Sequence, residues 1–307
     1  QQNDKQSIIL HRMKKKIIFI VNPISGHHNK NHFPNLVESS IDKNKYDYTI
    51  VFTEYANHAT ELTMKAIDDG YEYIAAVGGD GTINEVAKCM IDKEQTLVII
   101  PFGSGNGLAR HLGLPFKVEK LIKDVINNGK KYKIDTATMN GVPFISLAGI
   151  GFDAMIADYF AKDENRGFLT YAKLITEKYP NYRQKEYTLI MDDKTTIECK
   201  PFFVTFANSS QFGYNAEISP KASVQDGLLD VCIFKKPNIL EVPIVATYFL
   251  AKQIDKSNFI DIYKAKKIQV FRKVDEVANV DGEPVEMSKD IIVEIKPLSL
   301  NVLLQNN

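Results

Sequence analysis

The sequence predicts an α/β protein in which a doubly wound, parallel-sheet domain is followed by an antiparallel β-sandwich. Three observations predict it. Before residue 130, four apolar runs rich in β-formers (17–21, 48–52, 73–77 and 97–100) each lead into a polar or glycine-rich loop and then a helical pattern. Repeated strand–loop–helix units imply parallel strands joined by crossover helices. Beyond residue 140 the strands become short and are punctuated by Asp-Asp, Gly and Pro turns, the pattern of a sandwich. The chain divides accordingly into a tail (1–13), a first domain (14–136) and a second domain from 137 onward.

The first strand ends in Asn22-Pro23-Ile24-Ser25-Gly26, a turn whose Asn, Ser and Gly can line a phosphate pocket or form a plain surface turn. A helix over 33–41 follows. The second strand ends at Thr53, and a helix opens near Ala59 and runs to about Asp69, closed by Gly70. Asn57 is a candidate cap for it. His58 lies near the strand ends, either as a proton carrier or as a hydrogen-bonded structural residue. The third unit carries Gly78-Gly79-Asp80-Gly81-Thr82, with Thr82 and Glu85 at capping-box spacing. Unpaired N–H groups at such a helix start attract phosphate. A carboxylate at Asp80 repels phosphate unless a divalent cation lies between, so the loop reads as a nucleotide site that works with magnesium. The fourth unit, Gly103-Ser104-Gly105-Asn106-Gly107, allows close backbone approach and adds the donors of Ser104 and Asn106. Arg110, one turn into the next helix, faces a phosphate or makes a surface salt bridge. All four loops lie at the carboxyl ends of the strands, where doubly wound sheets bind ligands. Leu108 stands where a dinucleotide fingerprint needs glycine, and no P-loop sequence occurs.

A helix over 119–127 and a turn at Asn128-Gly129 precede the domain change near 130–140. A hairpin with Asp135 follows, then a strand over 144–151, an apolar stripe (Met155, Ile156, Tyr159, Phe160), a helix over 168–179, and strands at 186–191, 195–199, 202–207, 228–234, 268–271 and 277–280. The apolar segment 239–251, interrupted by Glu241 and Pro243, is either a helix packed on the sandwich or the wall of a lipid-tail pocket or membrane-facing patch. Lys264, Lys266 and Lys267 form either a solvated face or a reader of anionic head groups. Asp226-Gly227-Leu228-Leu229-Asp230 and Asp281-Gly282-Glu283 are acidic constellations in the β region; the latter reads as a hairpin or as part of a site.

The formal net charge of the 307 residues is +0, which leaves no global field to draw in nucleic acid. The three cysteines, Cys89, Cys199 and Cys232, are widely spaced, which argues against a disulfide framework or zinc site and for a reducing cytoplasm. Residues 1–12 lack the apolar core of a secretory signal, and Met13 reads as a natural start. No apolar run approaches the ~20 residues needed to span a bilayer, so membrane contact is expected to be peripheral. The oligomeric state stays open, a homodimer being one option.

Asn22-Pro23-x-Ser25-Gly26, Gly78 to Thr82, Gly103 to Asn106, Gly151-Phe152-Asp153-Ala154, Asp226 to Asp230 and Asp281 to Glu283, taken in this order, resemble the diacylglycerol kinase catalytic-domain family, which includes sphingosine kinases and bacterial lipid kinases. The resemblance covers residues 14–307. It implies a nucleotide domain, a lipid-binding sandwich and a return of 291–307 to the first domain. It implies transfer of phosphate from ATP, with Mg2+, to a lipid hydroxyl. It places Asn22, Gly26, Thr53, Gly78, Gly79, Asp80, Gly81, Thr82, Ser104 and Glu283 at the nucleotide. Asp281 matches the family's general base, with Asp80 as rival. Asp226, with the carbonyls of Ser223 and Leu228, matches a structural magnesium site found in bacterial members, and Arg110, Asp135 and Lys173 match positions needed for activity. Asn57 and Ser104 look closer to sphingosine kinases, whereas Gly151 to Ala154 look like the bacterial diacylglycerol type, so the acceptor is a glycerolipid or a sphingoid base. The competing readings are an NAD kinase-like enzyme and a catalytically silent nucleotide-binding regulator; the presence of Asp80, Asp226, Asp281 and Glu283 opposes the second.

Overall fold

A computed structural model describes residues 14–26, 32–163 and 167–306. The tail 1–13, with Met13, lies outside them. Four parallel strands open the chain: β1 (Lys15–Val21), β2 (Tyr46–Phe52), β3 (Tyr73–Gly78) and β4 (Thr96–Pro101). Their order is β2-β1-β3-β4. β3 and β4 are buried at every position, as strands covered on both faces must be. The crossovers are α1 (Phe33–Ser40), α2 (His58–Asp68) and α3 (Asp80–Met90); α4 (Gly107–His111) follows β4.

Two local expectations change. The Thr82–Glu85 capping box does not form, because α3 starts at Asp80 and Thr82 lies inside the helix. Its hydroxyl instead accepts a hydrogen bond from Asn22 Nδ2 at 3.0 Å, and the Glu85 carboxylate turns to the backbone N–H groups of Asn57, Ala59 and Thr60 at the start of α2. The helix expected over 119–127 is a single α-turn, α5 (Val118–Leu121), that widens into a π-helical segment over Ile122–Ile126. That widening buries Ile122, Val125 and Ile126 together.

From β5 (Lys130–Met139) the chain turns antiparallel. β6 (Val142–Phe144) and β7 (Leu147–Gly151) lead to α6 (Phe152–Lys162) and α7 (Phe168–Lys178), the expected helical pair. The remaining strands are β8 (Tyr187–Met191), β9 (Thr195–Cys199), β10 (Phe203–Ala207), β11 (Leu229–Phe234), β12 (Ile260–Ala265), β13 (Lys267–Phe271), β14 (Glu276–Val280), β15 (Glu283–Met287) and β16 (Asp290–Leu304), with α8 (Val242–Leu250) after β11. The strands β12 and β15 go beyond the sequence reading. Charged residues interrupt both, and each closes one edge of a six-stranded sheet, order β12-β11-β10-β7-β14-β15. Edge strands tolerate such interruption because one side faces solvent.

The long strand β16 joins the two halves. Its start pairs with β13, and Val302 pairs in parallel with Leu97 of β4, so one ten-stranded sheet runs through the molecule. It bends between Lys296 and Leu300, where its register against β5 shifts and Leu298 takes a left-handed backbone (φ 49°). Asp135 secures that bend. Its fully buried carboxylate accepts from Leu298 N at 2.7 Å and from Gly227 N at 2.8 Å. Asp135→Ala is therefore expected to lower stability by about 3 kcal/mol, since two buried N–H groups lose their partner. Denaturant unfolding checks this; an unchanged midpoint would contradict it. The sandwich core lies between the sheets, with Phe144, Leu189, Val270 and Val293 facing Ile150, Phe206, Val231 and Val280.

Candidate active site

The glycine loops meet at the carboxyl edge of the parallel sheet. A Cβ on Gly26 would lie 1.9 Å from the Phe102 carbonyl oxygen, and one on Gly103 would lie 2.6 Å from Gly79 Cα. Backbones this close need glycine, so the Asn22, Gly78 and Gly103 loops form one surface. Asn22 is held at the end of β1 by its N–H to the Val77 carbonyl (2.9 Å), and Thr53 is held by its N–H to Val21 (2.9 Å). Ser104 is exposed at the tip of the fourth loop, and Gly81 is exposed in the first turn of α3.

Asp80 fastens two of these loops. Its Oδ2 accepts from Asn106 N at 2.7 Å and its Oδ1 from Gly107 N at 2.9 Å. Burial raises its pKa, and those two N–H bonds and the Arg110 guanidinium work in the other direction. Among the described residues Arg110 makes no salt bridge. Its Nε donates to the Gly105 carbonyl at 3.0 Å, Nη1 to Asn215 Oδ1 at 3.2 Å, and it stacks over Phe116. Arg110 thus braces the fourth loop from behind.

One face of α3 ties this loop cluster to the sandwich. Asp80, Asn84 and Lys88 recur every four residues and so share a face. Asn84 Nδ2 donates to the Asp281 carbonyl at 3.1 Å, and Lys88 Nζ lies 3.6 Å from Glu283 Oε2. The turn after β14 is thereby docked on the helix that begins at Asp80. Asp281 has φ 52°, and its carboxylate accepts from the N–H groups of Ile145 (2.8 Å), Ser146 (2.8 Å) and Leu147 (3.0 Å). Burial raises its pKa, opposed by those N–H groups and by Lys88. Glu283, expected at the nucleotide, has a half-exposed side chain whose oxygens face Lys88 and solvent.

Asp80 and Asp281 both line one cavity of about 540 Å³. Its far walls are apolar: Phe152, Ile156 and Phe160 of α6, Tyr171 of α7, and Val245 and Phe249 of α8. The polar phosphate surface and the apolar cavity therefore meet at two carboxylates. Of α8, only Val245 is buried, while Ile239, Leu240 and Leu250 are 71%, 82% and 85% exposed and Leu169 of α7 is 84% exposed.

Several expected positions fall elsewhere. His58 Nδ1 accepts from Glu54 N, and its ring stacks on Tyr55 at 4.3 Å, a structural role. Asn57 occupies the cap position of α2 in a left-handed conformation (φ 66°) without a side-chain bond to the helix. Lys173 pairs with Glu177 one turn along α7, and its side chain is 73% exposed. In the expected magnesium set the Asp226 carboxylate is paired with a lysine. Lys264 Nζ lies 2.9 Å from Asp226 Oδ2 and 2.7 Å from Asp230 Oδ1, so an internal ammonium already holds the carboxylate. Asp226 Oδ1 accepts from Leu228 N, and Ser223 Oγ accepts from Gln225 N. Lys264 is equally withdrawn from the head-group cluster expected with Lys266 and Lys267. Among the described residues no group of three or more His, Cys, Asp or Glu side chains forms a metal cage. The glycine surface does fit a triphosphate, since it is polar, close-packed backbone at the start of an eleven-residue helix.

A parallel α/β half with a phosphate-type surface meets an apolar cavity that α6, α7 and α8 close over the outer face of the six-stranded sheet, the layout of an enzyme that joins a phosphate donor to an apolar acceptor. The diacylglycerol kinase catalytic domain model matches residues 16–139, and the YegS C-terminal NAD kinase beta sandwich-like domain model matches residues 146–304. The chain belongs to the diacylglycerol kinase family and is a lipid kinase. It is 32% identical over 275 residues to a diacylglycerol kinase of Bacillus subtilis (strain 168), covering 88% of this chain and 90% of that protein. It is 29% identical over 278 residues to a diacylglycerol kinase of Staphylococcus saprophyticus, covering the same shares. A crystal structure of a diacylglycerol kinase from Bacillus anthracis str. Sterne has the same fold, with TM-score 0.70 at 21% identity over 95% of this chain and 97% of that one. A second crystal structure from that organism gives 0.77 at 22% identity, again over 95% and 97%. Membership in this family implies use of ATP and, typically, a divalent metal.

Proposed function

We propose that the chain transfers the γ-phosphate of ATP to the free hydroxyl of diacylglycerol, giving phosphatidic acid, at a membrane surface. The observation that carries this reading is the junction itself: glycine loops on one side, a 540 Å³ apolar cavity on the other, and Asp80 and Asp281 where they meet. Asn22, Gly26, Thr53, Gly78 to Thr82 and Ser104 hold the nucleotide in this reading. A bound magnesium–ATP supplies the phosphoryl group and neutralises charge as it transfers. The protein's part is placement: α3 carries Asp80 and, through Asn84, docks the turn that carries Asp281.

Asp281 is the first choice as proton acceptor, because it lines the cavity and burial raises its basicity. One observation favours a second reading. Asp281 gives three lone-pair contacts to backbone N–H groups, while Glu283, in the same turn, makes none of the backbone hydrogen bonds that hold Asp281. In that reading Asp281 shapes the turn and Glu283 takes the proton. A panel of labelled-ATP transfer to diacylglycerol, a sphingoid base and NAD tests the function. Label in phosphatidic acid is expected; label confined to sphingoid phosphate or to NADP would replace the acceptor.

Peripheral membrane docking belongs to the same reading. No helix among the described residues is long and apolar enough to cross a membrane. The exposed Ile239, Leu240 and Leu250 flank the helix that walls the cavity, which suits insertion of this rim beside the lipid entrance. Leu240→Ser is expected to weaken vesicle binding by about tenfold, the loss of one buried apolar side chain. Turnover of a short-chain diacylglycerol below its micellar threshold should be unchanged. Equal cosedimentation of variant and wild type would remove this rim from the membrane contact.

A further inference from the structure

The cavity contains two polar side chains that neither the phosphate surface nor the proton acceptor uses. Asp153, in the first turn of α6, is 7% exposed and its Oδ1 has no hydrogen-bond partner. Gln211 is 3% exposed and its Oε1 has none either. Both residues line the cavity. Buried polar atoms are nearly always paired, so two unpaired ones in the wall of one apolar cavity mark side chains that a small rotation would bring onto a polar group of a bound ligand.

Both share the cavity wall with Asp80 and Asp281. The backbone of Gln211 is at the nucleotide end: its main-chain carbonyl oxygen would lie 3.0 Å from a Cβ on Gly107, the residue whose N–H binds Asp80. Asp153 is at the sandwich end. Its carboxyl sits over Gly149 of β7, where a Cβ would come within 2.3 Å of Oδ2. Asn279 Nδ2 lies 3.4 Å from Asp153 Oδ2, and Asn279 Oδ1 accepts from Gly282 N at 2.9 Å. A lipid group held by Asp153 is thus referenced, through Asn279, to the turn that carries Asp281.

We propose that Asp153 and Gln211 position the acceptor lipid by hydrogen-bonding the uncharged ester groups that flank its reacting hydroxyl, and so select glycerides over long-chain bases. The proposal rests on the lipid-kinase reading above and specifies its acceptor. Among the described residues no Lys, Arg or His lines the cavity, so an anionic head group has no counter-charge there. The apolar surroundings also disfavour the ionised acid: burial pushes the Asp153 pKa up to about 7. In its neutral form the carboxyl donates an O–H, the partner an ester carbonyl requires, and the glutamine amide offers both a donor and an acceptor. A protonated amine would instead need an ion pair in this desolvated place, where removing two charges from water is costly.

The test measures kcat and KM of the full chain with dioctanoylglycerol, its dioctyl ether analogue and a sphingoid base. Wild type should favour the ester over the ether by about tenfold in kcat/KM, one hydrogen bond's worth. Asp153→Ala should raise KM for the ester by about tenfold, leave KM for ATP unchanged and remove the ester–ether difference. Asp153→Asn, which keeps a donor of the same shape, should restore most of the loss. Equal use of ester and ether by wild type would overturn the proposal without any variant, so a misfolded Asp153→Ala protein does not shield it. A wild-type preference for the sphingoid base would overturn it while leaving lipid phosphorylation intact. Transfer to no lipid would overturn the lipid-kinase reading as well, and the two failures are therefore distinct.

Discussion

Asp80→Ala is expected to lower kcat by about three orders of magnitude and to weaken magnesium–ATP binding. The scale follows from losing preorganised electrostatics at a transferring phosphoryl group, where removal of one positioned donor alone costs ~10²–10³. The cause is structural as much as electrostatic. Both Asp80 oxygens hold backbone N–H groups of the fourth loop, at 2.7 and 2.9 Å. Without them Asn106 and Gly107 lose their anchor, and the loop that carries Ser104 no longer keeps its distance from Gly79. Stability should fall by about 2 kcal/mol for the same reason. Steady-state kinetics, ATP titration calorimetry and thermal unfolding on one preparation separate these effects. Unchanged ATP affinity in the presence of magnesium would contradict the role assigned to Asp80.

Asp281→Asn is expected to reduce turnover by about 10²–10⁴, the range for loss of a positioned general base, while ATP still binds. The amide cannot reproduce the site. One of its two heavy atoms becomes a donor, and it faces N–H groups from Ile145, Ser146 or Leu147. The turn should therefore loosen, and a stability loss of about 2 kcal/mol should accompany the kinetic one. Glu283→Gln is the discriminating partner. It leaves the backbone bonds of Asp281 untouched, so a large loss of kcat at unchanged stability would assign the proton to Glu283. Near-normal turnover of Glu283→Gln beside a silent Asp281→Asn would assign it to Asp281.

The parallel half was legible in the sequence because its signals are local. Each strand is a short apolar run, and three of the four loops carry glycines, which close backbone contact requires at Gly26 and Gly103. The sandwich was legible as a class and less so in its strands. Residues 260–265 and 283–287 are edge strands with charged positions, and their pairing is set by neighbours far along the chain. The site residues divide in the same way. Asp80 and Asp281 line one cavity, Asn22 is bonded to Thr82 beside it, and the stripe Asp80–Asn84–Lys88 that docks the Asp281 turn could have been read from its four-residue spacing. The partner of Asp226 could not be read from local sequence, because Lys264 lies on β12 and reaches Asp226 and Asp230 only through strand pairing. The bracing contacts of Arg110 with Gly105, Asn215 and Phe116 likewise involve a residue far along the chain and do not show in its local spacing. Asp153 was visible only as part of a motif; its open hydrogen-bonding capacity emerges once α6 is laid across β7 and β14.

The most direct measurement of the central claim is transfer of label from γ-labelled ATP, with magnesium, into diacylglycerol presented in mixed micelles. One phosphatidic acid formed for each ADP released is the predicted result. Label that appears only in NADP, or only as free phosphate while the lipid stays unmodified, would contradict the joining of phosphate surface and apolar cavity into one active site.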